Sequence, residues 1–347
     1  MSFWKVTKQS IKEINPILGA DFVEVATVLG WKCVVKKGEC TVGSEGIYFP
    51  IDSQMPMDDE RYAFLDRSSK IRRVKTGKFK KQISQGLFLS MTFFVGEEIQ
   101  RVEERIMKEG VEVDLSDIFR VVHYEPPIPV HIGGDVVGAT PEFIRKTDQE
   151  RIQNDLTFLD LMKHHSMEVT EKLDGTSIQY FLNEGDFGVC SRNYRLKETE
   201  TNTPWKLAKS LDIEAKLRKL NRNISIQGEL VGPSIQGNKY KLNEVKYFVF
   251  DIWDIDKQRF IIPLARRMMV EELGLLHAPV IALLGLCSSK RSEMLMDEVI
   301  EMSKGKSMIG CNPTREGLVF KCCVVIDNNV PSFKVINNDY LLEEERK

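Results

Sequence analysis

The sequence lacks the patterns that stabilise small secreted proteins and structural metal sites. Seven cysteines occur among 347 residues, but none form a Cys-x-x-Cys pair, and no histidines cluster at metal-binding spacing. His164 and His165 are adjacent and would point to different faces of any regular element, so we interpret them as structural. We therefore predict neither a disulfide framework nor a zinc site, and we expect reduced, mostly buried cysteines.

Long apolar runs are also missing. No run reaches the roughly 20 residues that a membrane-spanning helix needs, and the first residues, MSFWKVTKQS, lack the apolar core of a secretory signal. We expect a cytoplasmic or nuclear protein with no membrane partner, and a mitochondrial address stays open. The net charge of −2 excludes a whole-molecule field that attracts nucleic acid, so such binding would need a local patch.

The first hundred residues are typical of short strands. Val, Ile, Phe and Tyr are frequent in FVEVATVLGWKCVVKKGE, EGIYFPID and GLFLSMTFF, which Gly, Asp and Pro bound without a long helical period. This pattern predicts a small β-barrel, and the OB-fold is the commonest such barrel that handles nucleic acid. We interpret residues 101–120 as a connecting segment and HYEPPIPVHIGG as a linker.

A basic segment, KIRRVKTGKFKKQ, interrupts these strands. Seven of the twelve residues from Lys70 to Lys81 are basic, and Phe79 lies among them. The segment is either a solvated hairpin or a loop that follows phosphates while Phe79 stacks on a base, and the second interpretation is favoured because the rest of the chain is acidic. The predicted nucleic-acid-binding residues are Lys70, Arg72, Arg73, Lys75, Lys78, Lys80 and Lys81.

The second half mixes helices and strands. PWKLAKSLDIEAKLRKL (204–220) predicts an amphipathic helix, whereas ISIQGELVG, KYFVFDIWDID and EGLVFKCCVVI are rich in strand-forming residues. The mixture indicates an α+β fold built on antiparallel sheets. We predict a first domain over 1–125, a linker over 126–140 and a second domain over 141–347.

The segment MEVTEKLDGTSIQYF places Lys172 in an acidic turn between two strand-like runs. Lys-x-Asp-Gly alone is weak, because Asp-Gly is a common turn dipeptide and a lysine there is ordinarily solvated. Several charged residues nevertheless follow within apolar strand sequence, where an unpaired charge facing the core would cost several kcal/mol. These residues, with one aromatic among them, are Arg192, Glu229, Phe250, Asp251, Glu316, Lys321 and Lys334. The series predicts a lined cleft.

In this order the series resembles the covalent nucleotidyltransferase superfamily of ATP-dependent RNA and DNA ligases and GTP-dependent capping enzymes. The segments VATVLGWKCVVKKGE, ISQGL and KTDQERIQN extend the resemblance to RNA ligases with an N-terminal OB domain, the Deinococcus/Naegleria type. The resemblance implies an N-terminal OB-type β-barrel followed by a nucleotidyltransferase (ligase adenylation) domain of antiparallel sheets and helices. It further implies that a lysine takes AMP from ATP and passes it to a 5′-phosphate end, which a 3′-OH then attacks.

The resemblance also implies the role of each residue. Lys172 would be the nucleophile, while Asp174 and Glu316 would hold Mg²⁺ or Mn²⁺ through its water shell. Glu229 would bind the ribose and Phe250 would stack on adenine, although Phe250 could instead be plain core. The remaining ATP-binding candidates are Glu171 (more through its backbone than its carboxylate), Leu173, Arg151, Arg192, Lys321 and Lys334. Arg151 could instead be a surface residue, and Lys321 could pair with a carboxylate.

Two features depart from related enzymes. Related RNA ligases often carry a second basic residue two positions from the one matching Lys334. Here those positions are Ser332 and Ile336, so Lys334 would contact phosphate without a second basic residue beside it. Only 13 residues follow Lys334, too few for the C-terminal OB domain of DNA ligases and capping enzymes. We therefore expect an RNA ligase acting on RNA or an RNA-containing duplex with a nick. The alternatives are a DNA-sealing or GTP-using relative and a non-catalytic nucleic-acid-binding protein with a relic core.

Overall fold

The computed structural model describes residues 4–65, 71–80, 82–124, 136–147, 149–285 and 292–345. Lys70, Lys81 and most of the predicted linker lie outside these residues. The chain separates into two compact units. The first comprises Met1–Pro127, Gln153–Leu156 and Leu341–Lys347, and the second comprises Ile128–Ile152 and Thr157–Tyr340. Unlike the division drawn from the sequence, the first unit includes two short segments from the second half of the chain.

The first unit is mainly β-structure. Its elements are β1 (Thr7–Pro16), β2 (Val23–Val28), β3 (Trp31–Lys36), β4 (Glu45–Phe49), β5 (Ser53–Met55), β6 (Arg72–Arg73), β7 (Gly77–Phe79), β8 (Gln82–Ser84), β9 (Leu87–Ser90), α1 (Gly96–Glu109) and β10 (Val122–His123). The main sheet has the order β3-β2-β1-β4-β9, and the smaller sheets are β10-β5-β6 and β7-β8.

The main sheet of the first unit curls into a nearly closed barrel, which confirms the OB-type prediction. A register shift between Ile11 and Glu13 marks a bulge in β1, and bulges bend strands. The far edges approach where the Gln85 amide donates to the Lys32 carbonyl (2.8 Å). Alternate residues of β3, including Trp31, are buried inside.

Helix α1 corrects the interpretation of residues 101–120 as a connecting segment. Val102 is buried in the helix, and Ile99 and Ile106 pack beside it. Charged residues surround these few apolar positions, which hid the helical period. Glu98 fixes the start of the helix because its carboxylate accepts from the Val95 amide (3.1 Å).

The second unit contains two sheets and the remaining helices. Its elements in chain order are β11 (Val136–Ala139), β12 (Glu150–Arg151), α2 (Thr157–His164), β13 (Met167–Lys172), β14 (Thr176–Asn183), β15 (Asp186–Ser191), β16 (Tyr194–Leu196), α3 (Thr203–Ser210), α4 (Ile213–Lys219), β17 (Ile224–Val231), β18 (Lys246–Asp254), β19 (Arg259–Phe260), α5 (Pro263–Glu272), β20 (Leu276–His277), β21 (Val280–Leu284), α6 (Ser292–Ser303), β22 (Gly317–Cys322), β23 (Ser332–Ile336) and the start of α7 (Asn338–Glu344).

The two sheets are mostly antiparallel, so the predicted α+β class is confirmed. The large sheet has the order β11-β16-β15-β14-β17-β18-β19, with β20 beside β18. The small sheet has the order β12-β23-β22-β13-β21. Tyr180, Ile226 and Tyr247 of the large sheet form the main core with helix residues such as Leu217 and Val270. Only residues 173–175 separate β13 of the small sheet from β14 of the large one.

The helix predicted over 204–220 is two helices. Asp212 adopts a left-handed backbone conformation (φ 51°) between α3 and α4, which ends the first helix and redirects the second. Both helices still bury apolar residues against the large sheet, Ala208 from α3 and Leu217 from α4. The spacing of apolar residues is therefore the same on both sides of Asp212, so it did not indicate that the helix ends there.

Among the described residues, no helix has the length and apolar character needed to cross a membrane. Six cysteines in these residues are free thiols, and four of the six are buried.

Candidate active site

Lys172 ends β13, at the edge where the small sheet meets the turn to the large one. Its backbone pairs with Gly317 of β22. The rest of the strand is buried, whereas the Lys172 side chain is 29% exposed. Its Nζ donates to Oε1 of Glu316 at 2.6 Å. Lys172 is therefore a partly accessible amine in an ion pair, unlike a solvated turn residue.

Strand register places further cations on the same face as Lys172. Directly paired residues of neighbouring strands project to one face, and that face recurs every second residue. Thr170, two residues before Lys172, pairs with Val319, which pairs with Lys334, which in turn pairs with Arg151 of β12. Lys172, Lys334 and Arg151 thus share a face. Burial raises the pKa of Glu316, and the positive charge of Lys334 is among the smaller effects that oppose this.

Glu171 projects to the opposite face because neighbouring strand residues alternate. Its Oε2 accepts from the amide of Met308 at 2.8 Å, and its own amide donates to Pro279 O at 2.8 Å. The carboxylate therefore braces the loop at Met308. Leu173, the next residue after Lys172, is 5% exposed and packs with Tyr240 and Phe248.

The turn after Lys172 requires glycine. A Cβ on Gly175 would lie 2.2 Å from the carbonyl oxygen of Leu230, a contact that no side chain can make. The close approach lets the Gly175 amide donate to Oε1 of Glu229 at 3.0 Å. Residues 173–175 therefore bring the lysine turn directly onto β17.

The charges of three carboxylates, those of Asp174, Glu229 and Glu316, act on the Lys172 amine. Burial lowers the pKa of Lys172, but the carboxylates, Glu316 first, outweigh burial and leave it raised. Burial raises the pKa of Glu229 to about 8, with the charges of Glu316 and Asp174 adding to the effect and Lys172 opposing it. In the resting protein Lys172 is thus a protonated ammonium.

The donor set suits a hydrated divalent cation. Among the described residues, Oε2 of Glu316 is buried with no hydrogen-bond partner, so this atom is available to accept from a bound water. The Asn337 amide donates to the Glu316 carbonyl at 2.8 Å and fixes that residue. In the described part of the chain, no group of three or more His, Cys, Asp or Glu side chains is close enough together to ligate a metal ion directly.

Phe250 occupies a bulge of β18. Gln227 pairs with Asp251 and Gly228 with Val249, so Phe250 is the extra residue between them. Its side chain is only partly buried. This placement favours stacking over the plain-core alternative.

In the structure Lys321 is the partner of a carboxylate. It is 2% exposed, forms an ion pair with Asp251, and donates to the carbonyl of Phe250 at 2.8 Å. Burial lowers its pKa to about 8, against the opposing charge of Asp251. Lys321 therefore secures the Phe250 bulge, as in the pairing alternative left open by the sequence.

Lys321 belongs to a buried charge network. Arg266 of α5 is fully buried, forms an ion pair with Glu168 and approaches Asp251 at 3.6 Å. Its Nε donates to Nε2 of His277 at 3.1 Å, which makes Nδ1 the protonated nitrogen that donates to Ala278 O at 2.6 Å. This network joins β13, β18, β22 and α5 behind the site.

Three residues that the sequence did not predict hold Asp174. The Asp174 amide donates to the Tyr240 hydroxyl at 2.7 Å, and its Oδ2 accepts from the Tyr340 hydroxyl at 2.5 Å. Lys239 forms an ion pair with the same oxygen. Tyr340 is 166 residues from Asp174. The segments that contain these residues, NKY (238–240) and NDY (338–340), form no motif that would have indicated the contact.

The other predicted positions are more dispersed. Arg192 is exposed in the turn between β15 and β16. In the basic segment, Arg72 is a correction: it is 3% exposed and donates to the carbonyls of Pro56 and Asp59, so it stabilises the fold. Arg73 pairs with Asp52 and Lys75 with Glu345. Lys78 and Lys80 are exposed on the β7–β8 hairpin.

Comparison with known proteins identifies both parts of the chain. An RNA ligase family model matches residues 165–336, and an OB-fold domain model matches residues 5–91. A search of curated proteins finds no match.

Solved structures of the Naegleria gruberi RNA ligase are similar over the whole length. The apo form of an aspartate-to-alanine variant is 36% identical, with a TM-score of 0.87 and 100% of each chain covered. A lysine-to-alanine variant with ATP and Mn is also 36% identical (TM-score 0.87, 99% of each chain), and a complex with PPi is 37% identical (TM-score 0.86, 99% of each chain). With 36–37% identity over the full length of these structures, the chain belongs to the RNA ligase family.

Proposed function

We propose that this protein is an ATP-dependent RNA ligase that joins 3′-OH and 5′-phosphate ends, with Lys172 as its nucleophile. The observation that carries the proposal is the Lys172 ammonium, 29% exposed and paired at 2.6 Å with Glu316. Asp174 and Glu229 surround it, and Lys334 and Arg151 share its face. This arrangement suits an amine that attacks a polyphosphate.

The reaction consists of three group transfers. Lys172 Nζ loses its proton and attacks the α-phosphorus of ATP, forming a P–N bond while the bond to pyrophosphate breaks. The 5′-phosphate of the RNA then attacks the same phosphorus, which releases Lys172 and leaves AMP on the RNA end. The 3′-OH attacks that activated 5′-phosphate, forming the phosphodiester and releasing AMP.

Lys172 must be neutral for the first step, and the surrounding carboxylates oppose this by raising its pKa. Asp174 and Glu316 would hold Mg²⁺ or Mn²⁺ through water, and the unpartnered Oε2 of Glu316 supports this role. When bound, the divalent cation would offset these carboxylate charges, favour the neutral amine and offset charge on the phosphates.

The remaining cleft residues divide between adenosine and phosphate. Phe250 stacks on adenine, Glu229 accepts from the ribose hydroxyls, and Arg192 contacts ribose or a phosphate. Leu173 and the Glu171 backbone form the wall beside the base. Lys334 and Arg151 contact the phosphates, with Lys321 acting through the position of Phe250.

The substrate is a nicked duplex with RNA at its 3′-OH side, and the use is RNA repair. The exposed lysines of the first unit, Lys78 and Lys80, support phosphate contact there. Arg73 and Lys75 can contribute only by exchanging their carboxylate partners for phosphate.

The experiment begins with protein treated with pyrophosphate, which removes any AMP already attached. Wild type and Lys172→Ala are incubated with α-labelled ATP or GTP and Mg²⁺ and separated on a denaturing gel. Label from ATP that resists alkali, is lost in acid and is missing from Lys172→Ala establishes the phosphoramidate on Lys172. Addition of a nicked duplex should then move the label to the 5′ end.

Three alternatives give different results. A relic ligase core would bind nucleic acid without accepting label from either nucleotide, and this outcome would overturn the proposal. Label from GTP alone would indicate a capping-type relative, and sealing of DNA nicks in preference to RNA nicks would indicate a DNA ligase.

A further inference from the structure

The carboxylate of Asp174 is part of a closed triangle with Lys239 and Tyr340. Oδ2 of Asp174 accepts from the Tyr340 hydroxyl at 2.5 Å and forms an ion pair with Lys239. Lys239 Nζ in turn donates to the Tyr340 hydroxyl oxygen at 2.6 Å and lies 4.8 Å from the centre of the ring. Two groups from distant parts of the chain thus converge on one carboxylate oxygen.

Packing holds this triangle in place. Tyr240, beside Lys239, is 3% exposed, and its hydroxyl accepts from the Asp174 amide at 2.7 Å. The Tyr240 carbonyl accepts from the amide of Cys311 at 2.9 Å. Gly310 approaches so closely that a Cβ there would lie 2.0 Å from that carbonyl oxygen. The backbone that bears Lys239 is therefore fixed relative to Asp174, which keeps the Lys239 side chain within reach of the carboxylate.

The Lys239 ammonium lies at the Asp174 carboxylate oxygen, where a hydrated cation would otherwise bind. The side chains of Lys239 and Asp174 are 21% and 18% exposed, so water and ions reach the pair. Tyr340 adds no charge, and its hydroxyl restrains the direction of the same carboxylate. The two residues therefore act on Asp174 in different ways, one through charge and one through geometry.

We propose that Lys239 and Tyr340 are positioning residues for lysine adenylylation: Lys239 neutralises the Asp174 carboxylate until a divalent cation replaces it, and Tyr340 keeps that carboxylate aimed. This inference rests on the proposed function, in which Asp174 helps to hold the cation. Lys239 opposes cation binding and limits it to the stage at which nucleotide phosphates add their negative charge.

The two roles predict different kinetic signatures. Lys239→Gln removes a competing positive charge, so the Mn²⁺ concentration for half-maximal lysyl-AMP formation should fall, by up to about tenfold. The rate at saturating Mn²⁺ should stay within about twofold. Lys239→Arg retains the charge and should restore the wild-type Mn²⁺ requirement. Tyr340→Phe should instead lower the saturating rate several-fold with little change in that requirement.

The experiment uses full-length protein stripped of AMP with pyrophosphate, with label from α-labelled ATP followed in single turnovers across a Mn²⁺ series. Free Mn²⁺ is also measured by electron paramagnetic resonance without ATP, and Lys239→Gln should retain more Mn²⁺ than wild type. Lys241→Gln, at an exposed neighbouring lysine, is the charge control. Tyr180→Phe, which removes a hydroxyl that donates to Pro204 O at 3.0 Å in the core, is the hydroxyl control.

An unchanged or higher Mn²⁺ requirement in Lys239→Gln, or the same shift in Lys241→Gln, would overturn the charge role. A saturating rate in Tyr340→Phe equal to wild type would overturn the aiming role. Absence of label in wild type at every Mn²⁺ concentration would instead contradict the proposed function, so the two failures are distinguishable. Thermal unfolding of each variant identifies any loss of activity caused by unfolding.

Discussion

At the scale of single residues, the position of Phe250 in a bulge has a measurable consequence. Phe250→Ala should raise the ATP concentration for half-maximal lysyl-AMP formation about 5- to 150-fold, because base–aromatic stacking contributes about 1–3 kcal/mol. Phe250→Trp retains an aromatic face and should stay near wild type. The measurement is the single-turnover rate against ATP concentration. An alanine variant with unchanged ATP dependence would return Phe250 to the plain-core interpretation.

Lys321 tests whether a buried lysine supports the fold or binds nucleotide. Lys321→Met leaves Asp251 buried without its closest partner, so the free energy of unfolding should fall by up to about 3 kcal/mol. The loss is at the low end for such pairs because Arg266 remains 3.6 Å from Asp251. Urea titration provides the measurement.

The matched double variant Lys321→Met/Asp251→Asn should recover much of that stability, because it removes the stranded charge as well. If Lys321 instead contacted ATP, the single variant would retain wild-type stability and lose only nucleotide affinity. The two interpretations are therefore separated by stability and ATP dependence measured on the same protein.

Lys172 was singled out by the ordered series of charged residues that follows it, and its role as the nucleophile stays a prediction. Side-chain direction was harder to predict. Lys321 and Lys334 both alternate onto the face of Lys172, and the sequence did not indicate that Lys321 would meet a buried carboxylate, Asp251, from the other sheet. Tyr340 was missed because its hydroxyl reaches Asp174 only through the tertiary fold.

At the scale of elements, helix α5 and strand β20 meet through a histidine that must remain neutral. Burial lowers the pKa of His277 to about 4, with the charge of Arg266 adding to the effect. A pKa lowered from 6.5 contributes stability that is present above pH 6.5 and is lost as the pH falls through 4. Protonation would place an N–H against the guanidinium of Arg266.

We therefore expect the stability advantage of wild type over His277→Asn to shrink by about 2 kcal/mol between pH 7 and pH 4. The difference between the two proteins removes the common effect of carboxylate titration. Denaturant titrations of both proteins at half-unit pH intervals provide the measurement, with His165→Asn as a histidine control. An advantage independent of pH would contradict this prediction, because it would show that His277 has the same pKa in the folded and the unfolded protein.

Strands were easier to predict than helices, for a physical reason. The runs around Val169, Ile226 and Val249 are buried from both sides, so their composition alone indicates sheet structure. The break at Asp212 and the helix around Val102 depend on one backbone torsion and on a few apolar residues among charges. Such local signals are weak within a single sequence.

At the scale of the whole molecule, the exposed lysines of the β7–β8 hairpin should contribute to the salt dependence of RNA binding. Lys78→Gln/Lys80→Gln should weaken binding of a nicked RNA duplex and reduce the slope of log affinity against log salt by about two. Lysyl-AMP formation in the absence of RNA should remain unchanged. Fluorescence anisotropy at several salt concentrations provides the measurement.

Lys108→Gln, on the exposed end of α1, is the charge control and removes one positive charge, where the hairpin variant removes two. If both proteins lose affinity equally, the hairpin contributes only general charge.

The two-part organisation itself followed from composition, but the return of residues 153–156 and 341–347 to the first unit did not. These short segments have no composition that distinguishes them from their neighbours.

The alternation in β13 has a further consequence for how this chain can vary. Glu171 and Lys172 are neighbours that serve opposite faces, and β21 and β22 pair with the strand on both sides. A slip of one residue would present a carboxylate where the amine now stands. The activity therefore depends on whether the number of residues inserted into β13 is even or odd. Insertions of two residues, which keep Lys172 on its face of the sheet, should be tolerated better than insertions of one.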